Sequence, residues 1–542
     1  MVLRKTTVLR GTQVKTDKKT SILQVIILII ISLLIVLFSY SIFSFNILHY
    51  TSFLNADVSS ETVLVREMWN NKTIVPSSWI PSSERRILST CSLAAPIYGI
   101  TGNMNLSLGI SCCLMTFLLI ICFAILMKNT SFGRVSIMMG ILVLLALPAT
   151  MEILTTLYLL CGYYITVSVI MLFTLNIYVS AANGRTKQYQ VWLILCSLMA
   201  YAISLSGMRG ILVIYFPLFA TELVRWFVYV ARNKRLPAKT KEYSRTALMT
   251  LVMLVLAYLG TRSEYAIVME TSRNIRGGFR KLITEAWPSF LQCINITGTT
   301  GLHNVLLIVI LVICSAVMIV YLIFNKRVDH AQLLTLGFFW MSLVVVFLSN
   351  SFTTTAVSAR YYFSVFFIVA YSFACLSGVF QKRLNSFSKT CRVFSRCASI
   401  SLIVVVGIVT IQNWKSIYYP VITEKDGQHS EQNQIVACLE EKNCKYCYTS
   451  FENANSLTVL SNGKVQGAAI DDFSEMNISK WLTSTDWYCP NAEYDAPTAY
   501  LITASAQESF DGFMSEHNDI TILLETENYK LYYSPHNYSN LG

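Results

Sequence analysis

Apolar runs long enough to cross a bilayer recur along this chain from residue 21 to residue 415. That recurrence constrains the fold more than any motif, because a helix crossing ~30 Å of hydrocarbon takes ~20 mostly apolar residues. Eleven runs are candidates: roughly 21–45, 104–127, 135–151, 161–183, 190–206, 211–230, 246–262, 301–325, 331–350, 361–380 and 398–414. The third, fifth and eleventh are short. The first is too long for a cleaved leader, and no small-residue cleavage site follows it, so it reads as a retained span. Composition agrees: 54% of residues are hydrophobic and only 13% charged, where a soluble domain is nearer a quarter charged. The expected fold class is an α-helical polytopic membrane protein with about 11 transmembrane helices. A soluble enzyme with an apolar tail is excluded. Nucleic-acid binding is a poor reading of the +12 net charge, and no nucleic-acid partner is expected.

The placement of that charge says more than its size. Eleven spans put the termini on opposite sides, and Lys and Arg collect on the cytoplasmic side. Six precede the first run (Arg4, Lys5, Arg10, Lys15, Lys18, Lys19). Seven lie in 225–245 and five in 381–397. Two more lie in each of 128–134, 184–189 and 326–327. These 24 basic residues share their side with four acids, Asp17, Glu222, Glu242 and Asp329. The other side keeps 18 basic and 26 acidic residues. The alternation holds at every turn, with a cytoplasmic basic tail at 1–20 and a multi-pass domain at 21–414. Two outer loops, 46–103 and 263–300, and an acidic extracytoplasmic segment at 415–542 complete the expected organisation. The last is long enough to be a domain. Its short β-rich runs (from Ile520 and Tyr529) and a helix-like stretch (Glu431 to Glu441) predict a small α/β domain.

Most of the 15 cysteines lie in or beside apolar runs, where Cys acts as a small apolar residue. Cys438, Cys444, Cys447 and Cys489 fall in the outer domain. An even number there suggests disulfides, with three pairings open. Cys444-Lys-Tyr-Cys447 also reads as half of a zinc site or a redox pair, but no second pair at ligand spacing accompanies it.

The first outer loop carries the chemistry. Asp57 and Glu61 are four residues apart, which puts two carboxylates on one face of a helix. The plain reading makes Asp57 an N-cap and Glu61 a surface residue paired with a basic neighbour. The loop continues through Glu84-Arg85-Arg86, either a salt-bridge cluster or a clamp for phosphate, whose oxygens Arg matches bidentately. Arg209, in Ser206-Gly-Met-Arg209-Gly210, and Arg360, in Ala359-Arg360-Tyr361-Tyr362, break the positive-inside rule at the outer interface. They either snorkel to headgroups or meet a lipid phosphate. Glu152, Arg262 and Glu264 are lesser candidates at the outer ends of spans.

This pattern resembles the GT-C superfamily of membrane glycosyltransferases. It is most similar to bacterial relatives of glycosyltransferase family 39, which includes protein mannosyltransferases and aminoarabinose transferases. The residues that carry the resemblance are Asp57 in the long first outer loop, Ser82-Ser83-Glu84-Arg85-Arg86, which looks like a Ser-Thr-Glu-x-Arg element, and Arg360-Tyr361 at the outer start of a late span. The resemblance implies a sugar on a polyprenyl phosphate, presented at the outer leaflet of the cell membrane, and a hexosyltransferase-type activity. It implies Asp57 as the base for the acceptor hydroxyl, with Glu61 beside it. Glu84, Arg86, Arg209, Arg360 and Tyr361 would then hold the substrate. The physics fits: a phosphate leaves as a stable anion and needs no general acid, unlike the leaving group of a glycosidase. Arginines offset the charge that develops on it. Many members carry adjacent acids where this chain has Asp57 followed only by Glu61. The role of Glu61 and the need for a divalent metal therefore stay open, and no metal ligand is assigned. The acceptor class stays open among cell-envelope glycan, lipid and protein.

Two other readings share the arginines. A flippase or transporter for a lipid-linked saccharide predicts charged or broken helices at the midplane, and few are present. A polysaccharide polymerase or ligase would not need Asp57. Trp481 and Trp487 read as sugar-stacking residues or as the aromatic core of a small domain.

Overall fold

The structure, a computed structural model, describes residues 22–538 apart from 149, 161, 183–185, 234–239, 264–277, 296–329, 354–355, 384–403, 424–428 and 489–496. Its first long helix, α1 (Ile22–Ile47), leads to α2 (Ala56–Asn70), the short strand β1 (Trp79–Ile80) and α3 (Thr90–Thr101). The helices α4 (Met104–Asn129), α5 (Arg134–Ala146), α6 (Met151–Leu157), α7 (Ile165–Ala182), α8 (Thr186–Ser204), α9 (Phe216–Asn233) and α10 (Thr240–Thr261) follow. Helices His330–Phe352 and Ser364–Arg383 come next, and residues 404–423 are again helical.

Among the described residues, five helices are long and apolar enough to cross a membrane: Val25–Ile47, Met104–Asn129, Ile165–Ala182, Ile211–Val228 and Ala331–Phe352. The third sequence candidate, 135–151, is covered by α5 and ends where α6 begins. These two helices meet at a 116° bend beside Pro148 and count as a sixth span only if taken together. Proline ends a helix because it has no N–H to donate. Three further candidates are shorter apolar helices, Val191–Ser204, Arg245–Thr261 and Ala359–Cys375. The candidate at 301–325 lies outside the described residues, as does the start of that at 398–414. The described helices therefore give five or six spans where the sequence suggested about eleven. One apolar core, from Phe38 on α1 to Phe373 on the last of these helices, runs through the bundle.

The C-terminal region is an α/β domain. Its six-stranded sheet has the order β4-β3-β2-β6-β8-β7, made of β2 (Tyr446–Thr449), β3 (Gln466–Asp472), β4 (Asn477–Ile478), β6 (Thr498–Thr503), β7 (Thr521–Glu525) and β8 (Tyr529–Ser534). β2 runs parallel to β3 and β6, and the other pairings are antiparallel. Helix Phe451–Leu460 makes the crossover from β2 to β3, as parallel neighbours require. It lies so close to β3 that a Cβ at Gly467 would sit 2.0 Å from the Ala454 carbonyl oxygen. The runs read as strands from Ile520 and Tyr529 become β7 and β8, and the helix-like stretch becomes helix Ser430–Glu441. Cys438, Cys444 and Cys447 are free thiols, so the expected bridges do not form among them; Cys489 lies outside the described residues. Cys444 and Cys447 are buried in a small apolar core with Ile435, Leu457 and Leu531.

This domain is joined to the first outer loop. β1 pairs antiparallel with β5 (Thr483–Ser484), and Thr485 N donates to Ser78 O at 2.8 Å. Ser59 on α2 meets Ser456 at 3.0 Å, and Arg66 reaches Gln466. One core holds Val58 and Leu64 of α2, Trp79 of β1 and Tyr500 and Phe510 of the sheet domain. Trp487 is buried there edge-on to Trp79, while Trp481 is exposed. The C-terminal domain therefore fixes the pose of α2, the helix that carries Asp57.

Candidate active site

Asn55, not Asp57, caps α2. Its side chain accepts from Val58 N at 2.9 Å with extended backbone angles. Both residue types are good caps, and the one that precedes the helix takes the place. Asp57 is left in the first turn, where the positive end of the helix dipole favours a carboxylate. Its side chain is 44% exposed. One turn on, Glu61 is turned inward and 1% exposed. It accepts from Arg86 Nε at 2.7 Å and from Cys91 Sγ at 2.9 Å. Glu61 is therefore not the surface residue of the plain reading. Packing of α3 against α2 closes over it.

From Glu61 a chain of opposite charges runs toward the spans. Arg86 Nη1 lies 3.5 Å from Glu84, and Arg209 Nη2 lies 3.0 Å from the same Glu84 oxygen. Arg86 also sits over the Tyr163 ring at 4.1 Å, and Arg209 over the Tyr164 ring at 4.3 Å. Such stacking suits the weakly hydrated guanidinium. Two glycines make this approach possible. Gly162, at φ +48°, turns the chain just before the two tyrosines. Gly207, at φ +139°, turns it beside Glu84. Burial alone would lower the Arg86 guanidinium, but Glu61, Tyr163 and Glu84 push it well above its ordinary value. Burial and the Glu61 charge push the Cys91 thiol up, so it stays protonated and donates to Glu61.

Arg360 comes from the 3-10 turn Ala359–Tyr362 and reaches Asp57 at 3.8 Å. Its guanidinium is 5.9 Å from the centroid of Tyr163, the ring that Arg86 also faces. Glu152 steadies the approach to that turn by accepting from Ser358 Oγ at 2.8 Å. Tyr361 is half-buried and packs against the main core. Five of the sequence candidates, Glu61, Glu84, Arg86, Arg209 and Glu152, thus make polar contacts within one region that also holds the Asp57–Arg360 pair. Arg262, just past the end of α10, donates to the Tyr258 hydroxyl on that helix, and Glu264 lies outside the described residues. An open cavity of about 420 Å³ lies against the cluster, lined by Glu84, Arg85, Arg86, Tyr163, Ser206 and Arg209 among others.

The sequence reading passed over Tyr163, Tyr164 and Cys91. All three stand in or beside apolar stretches, where an aromatic ring or a thiol signals packing. The pair of tyrosines directly after a glycine was the one visible cue. Among the described residues, no group of three or more His, Cys, Asp or Glu side chains is arranged as a metal site.

No family model and no curated protein matches the sequence. Solved structures do match. ArnT from Cupriavidus metallidurans bound to undecaprenyl phosphate superposes with a TM-score of 0.58 at 11% identity, covering 95% of this chain and 99% of that one. The same protein in its apo state gives 0.56 at 10% identity, with 95% and 98% covered. The Archaeoglobus fulgidus oligosaccharyltransferase in complex with Zn and sulfate gives 0.51 at 12% identity, with 93% and 73% covered.

This chain shares the fold of these solved structures.

The likeness covers nearly all of the chain, spans and C-terminal domain together. The resemblance drawn from Asp57, the Glu84–Arg86 element and Arg360–Tyr361 therefore holds at the level of the fold.

Proposed function

We propose that this protein is a membrane glycosyltransferase that moves a sugar from a polyprenyl-phosphate donor to an acceptor at the outer face of the cytoplasmic membrane. The N-terminus is then cytoplasmic and the C-terminal domain extracytoplasmic, as the charge asymmetry requires. One observation carries the reading: Asp57, exposed at the start of α2, stands 3.8 Å from Arg360 beside a cluster of arginines backed by tyrosine rings. The neighbouring fold with undecaprenyl phosphate bound supports a donor of that class.

The two carboxylates divide the work. Glu61 is sealed in and saturated by Arg86 and Cys91, so it positions Arg86. Asp57 is open and accepts the proton. The acceptor hydroxyl oxygen attacks the anomeric carbon as its proton passes to Asp57. The bond from that carbon to the phosphate oxygen breaks, and the electron pair leaves with the polyprenyl phosphate. Attack opposite the leaving group inverts the anomeric centre. Arg86, Arg209 and Arg360 are balanced by Asp57, Glu61 and Glu84 in the resting site, and the surplus of one positive charge that appears as Asp57 takes the proton offsets the charge gained by the phosphate.

The test is transfer from a polyprenyl-phosphosugar in membranes holding Asp57→Asn. The expected loss is at least 10²-fold, the low end for a positioned base. Transfer like wild type by a well-folded Asp57→Asn protein refutes the assignment.

A further inference from the structure

The outer loop expected at 263–300 holds a continuous helical run from Gly278 to Cys293, with a π-turn at Leu282–Ala286. One face of the run is buried: Ala286, Phe290 and Cys293 belong to the main core. Three large apolar side chains, each four residues from the next, are left outside. Phe279 is 78% exposed, Ile283 69% and Trp287 51%. Residues four apart share a helix face, and an exposed apolar patch marks a contact with a membrane or a partner. The run crosses the end of the span Ala331–Phe352. Lys281 Nζ donates to Thr353 O at 2.7 Å, the Phe279 ring meets Phe352 with centroids 6.4 Å apart, and Trp287 meets Phe347 at 6.3 Å. On that span Val344, Leu348 and Phe352, again four apart, are exposed as well. The two stripes join at the Phe279–Phe352 contact, so the exposed apolar surface of the span continues onto the run.

The buried face of the same run reaches the turn that carries Arg360. Phe290 meets Tyr362 edge-on at 5.7 Å, and Phe347 meets the same ring at 4.7 Å. Tyr362, two residues after Arg360, is fully buried. Trp287 contacts both Phe290 and Phe347, so one aromatic cluster extends from the exposed stripe to the turn. A helix with an apolar face and charged flanks lies in the plane of a bilayer surface, an indole favours that depth, and Arg280, exposed in the first turn of the run, can carry its charge to the headgroups. We infer that this run lies in the membrane surface on the Asp57 side, with Phe279, Ile283 and Trp287 among the lipid chains, and that this contact braces the turn holding Arg360. The occupant of the stripe is the bilayer, because the stripe continues the exposed face of a span. The inference rests on Ala331–Phe352 crossing the membrane; only the consequence of the brace for transfer rests on the glycosyltransferase reading.

The test uses the full-length protein in vesicles of dioleoylphosphatidylcholine, compared with the same lipid brominated on its acyl chains. The Trp287 emission is the difference between wild type and Trp287→Phe. Brominated lipid is expected to remove at least half of it, and aqueous iodide little. Ile283→Trp adds an indole one turn away whose extra emission should behave in the same way, which keeps the test open if Trp287→Phe does not fold. Quenching by iodide in place of brominated lipid would put the stripe in water. Quenching by neither would put it under protein, from this chain or a second copy. Either result overturns the lipid contact. The brace is read by hydrogen exchange in the segment holding Tyr361, whose amide donates to Ser358 O at 3.2 Å. Ile283→Glu puts a charge in the stripe and is expected to quicken that exchange at least threefold while the C-terminal sheet exchanges as in wild type; Ile283→Leu should match wild type throughout. Unchanged exchange in Ile283→Glu, or exchange quickened in the sheet as well, overturns the brace. Neither readout needs transfer activity, so a failed base assignment at Asp57 leaves both untouched.

Discussion

Replacing Arg86 with Met tests whether the Glu61–Arg86 pair holds the site together. Glu61 is 1% exposed and Arg86 11%, and their atoms meet at 2.7 Å. Removing the cation leaves a carboxylate sealed between α2 and α3 with only the Cys91 thiol as a partner. Breaking one side of a buried pair costs about 3–5 kcal/mol. Met replaces most of the volume, so the cavity contribution stays small. The double variant Arg86→Met with Glu61→Gln removes both charges, and replacing a whole buried pair is often near neutral. The cycle of wild type, two single variants and the double variant then gives a coupling of at least about 2 kcal/mol in favour of the double variant. The assay is the thermal unfolding midpoint in detergent, with transfer activity measured alongside. Arg86→Met should unfold several degrees below wild type, and the double variant should recover most of that loss without recovering activity. A single variant as stable as wild type, or a double variant no more stable than Arg86→Met, would refute the argument that this pair is a buried and coupled one.

Three further outcomes follow from the packing. Gly467→Ala would place a Cβ 2.0 Å from the Ala454 carbonyl oxygen, forcing helix Phe451–Leu460 off the sheet at a cost of about 1–3 kcal/mol; limited proteolysis of the C-terminal domain should quicken, and an unchanged rate would contradict the close approach. Gly512→Ala is the control: no atom lies within 4 Å of its Cβ in helix Gln507–Ser515, so the gain is about 0.5–1 kcal/mol from helix propensity. Cys91 should resist alkylation at pH 8 in the folded protein, because burial and Glu61 raise its thiol well above the ordinary range and only the thiolate reacts. As pH rises, the thiolate appears late, so peptide mapping should find Cys91 labelled only after denaturation; labelling of the folded protein at pH 8 would refute the sealed environment.

The parts of the site that were legible in the sequence share a property. Arg209 and Arg360 stood out because they broke the charge rule of the outer face, and Asp57 because it followed a long span at the start of a helix-like run. Each is a local exception to a general expectation, visible without knowing the fold. Tyr163 and Tyr164 were invisible because an aromatic residue at the start of an apolar run breaks no rule. Their role as platforms depends on Arg86 and Arg209 arriving from distant segments. Of the strands of the C-terminal domain only β7 and β8 were legible, as β-rich runs, and the strand order was not, since β6 pairs with β2 and β8 across long stretches of chain.

The unequal fates of Asp57 and Glu61 show where local reasoning stops. Four residues apart on one helix, the two carboxylates look equivalent by spacing. What separates them is the depth of a helix end. Asp57 lies in the first turn with its side chain exposed, whereas Glu61 lies one turn further in, against Arg86 and Cys91, on a helix packed against both α3 and helix Phe451–Leu460. A carboxylate pressed in this way persists only with a cation and a second donor, which Arg86 and Cys91 supply. That commitment disqualifies it as a base, because a proton acceptor needs a free lone pair directed at its substrate. Asp57 keeps its exposure, and its one cation, Arg360, stands at 3.8 Å, beyond hydrogen-bond length. A substrate phosphate that draws Arg360 away would leave Asp57 free to take the proton, so the same event that binds the donor prepares the base. Asp57→Glu, one methylene longer, should then keep measurable transfer where Asp57→Asn has none, because it retains the carboxylate and alters only its reach.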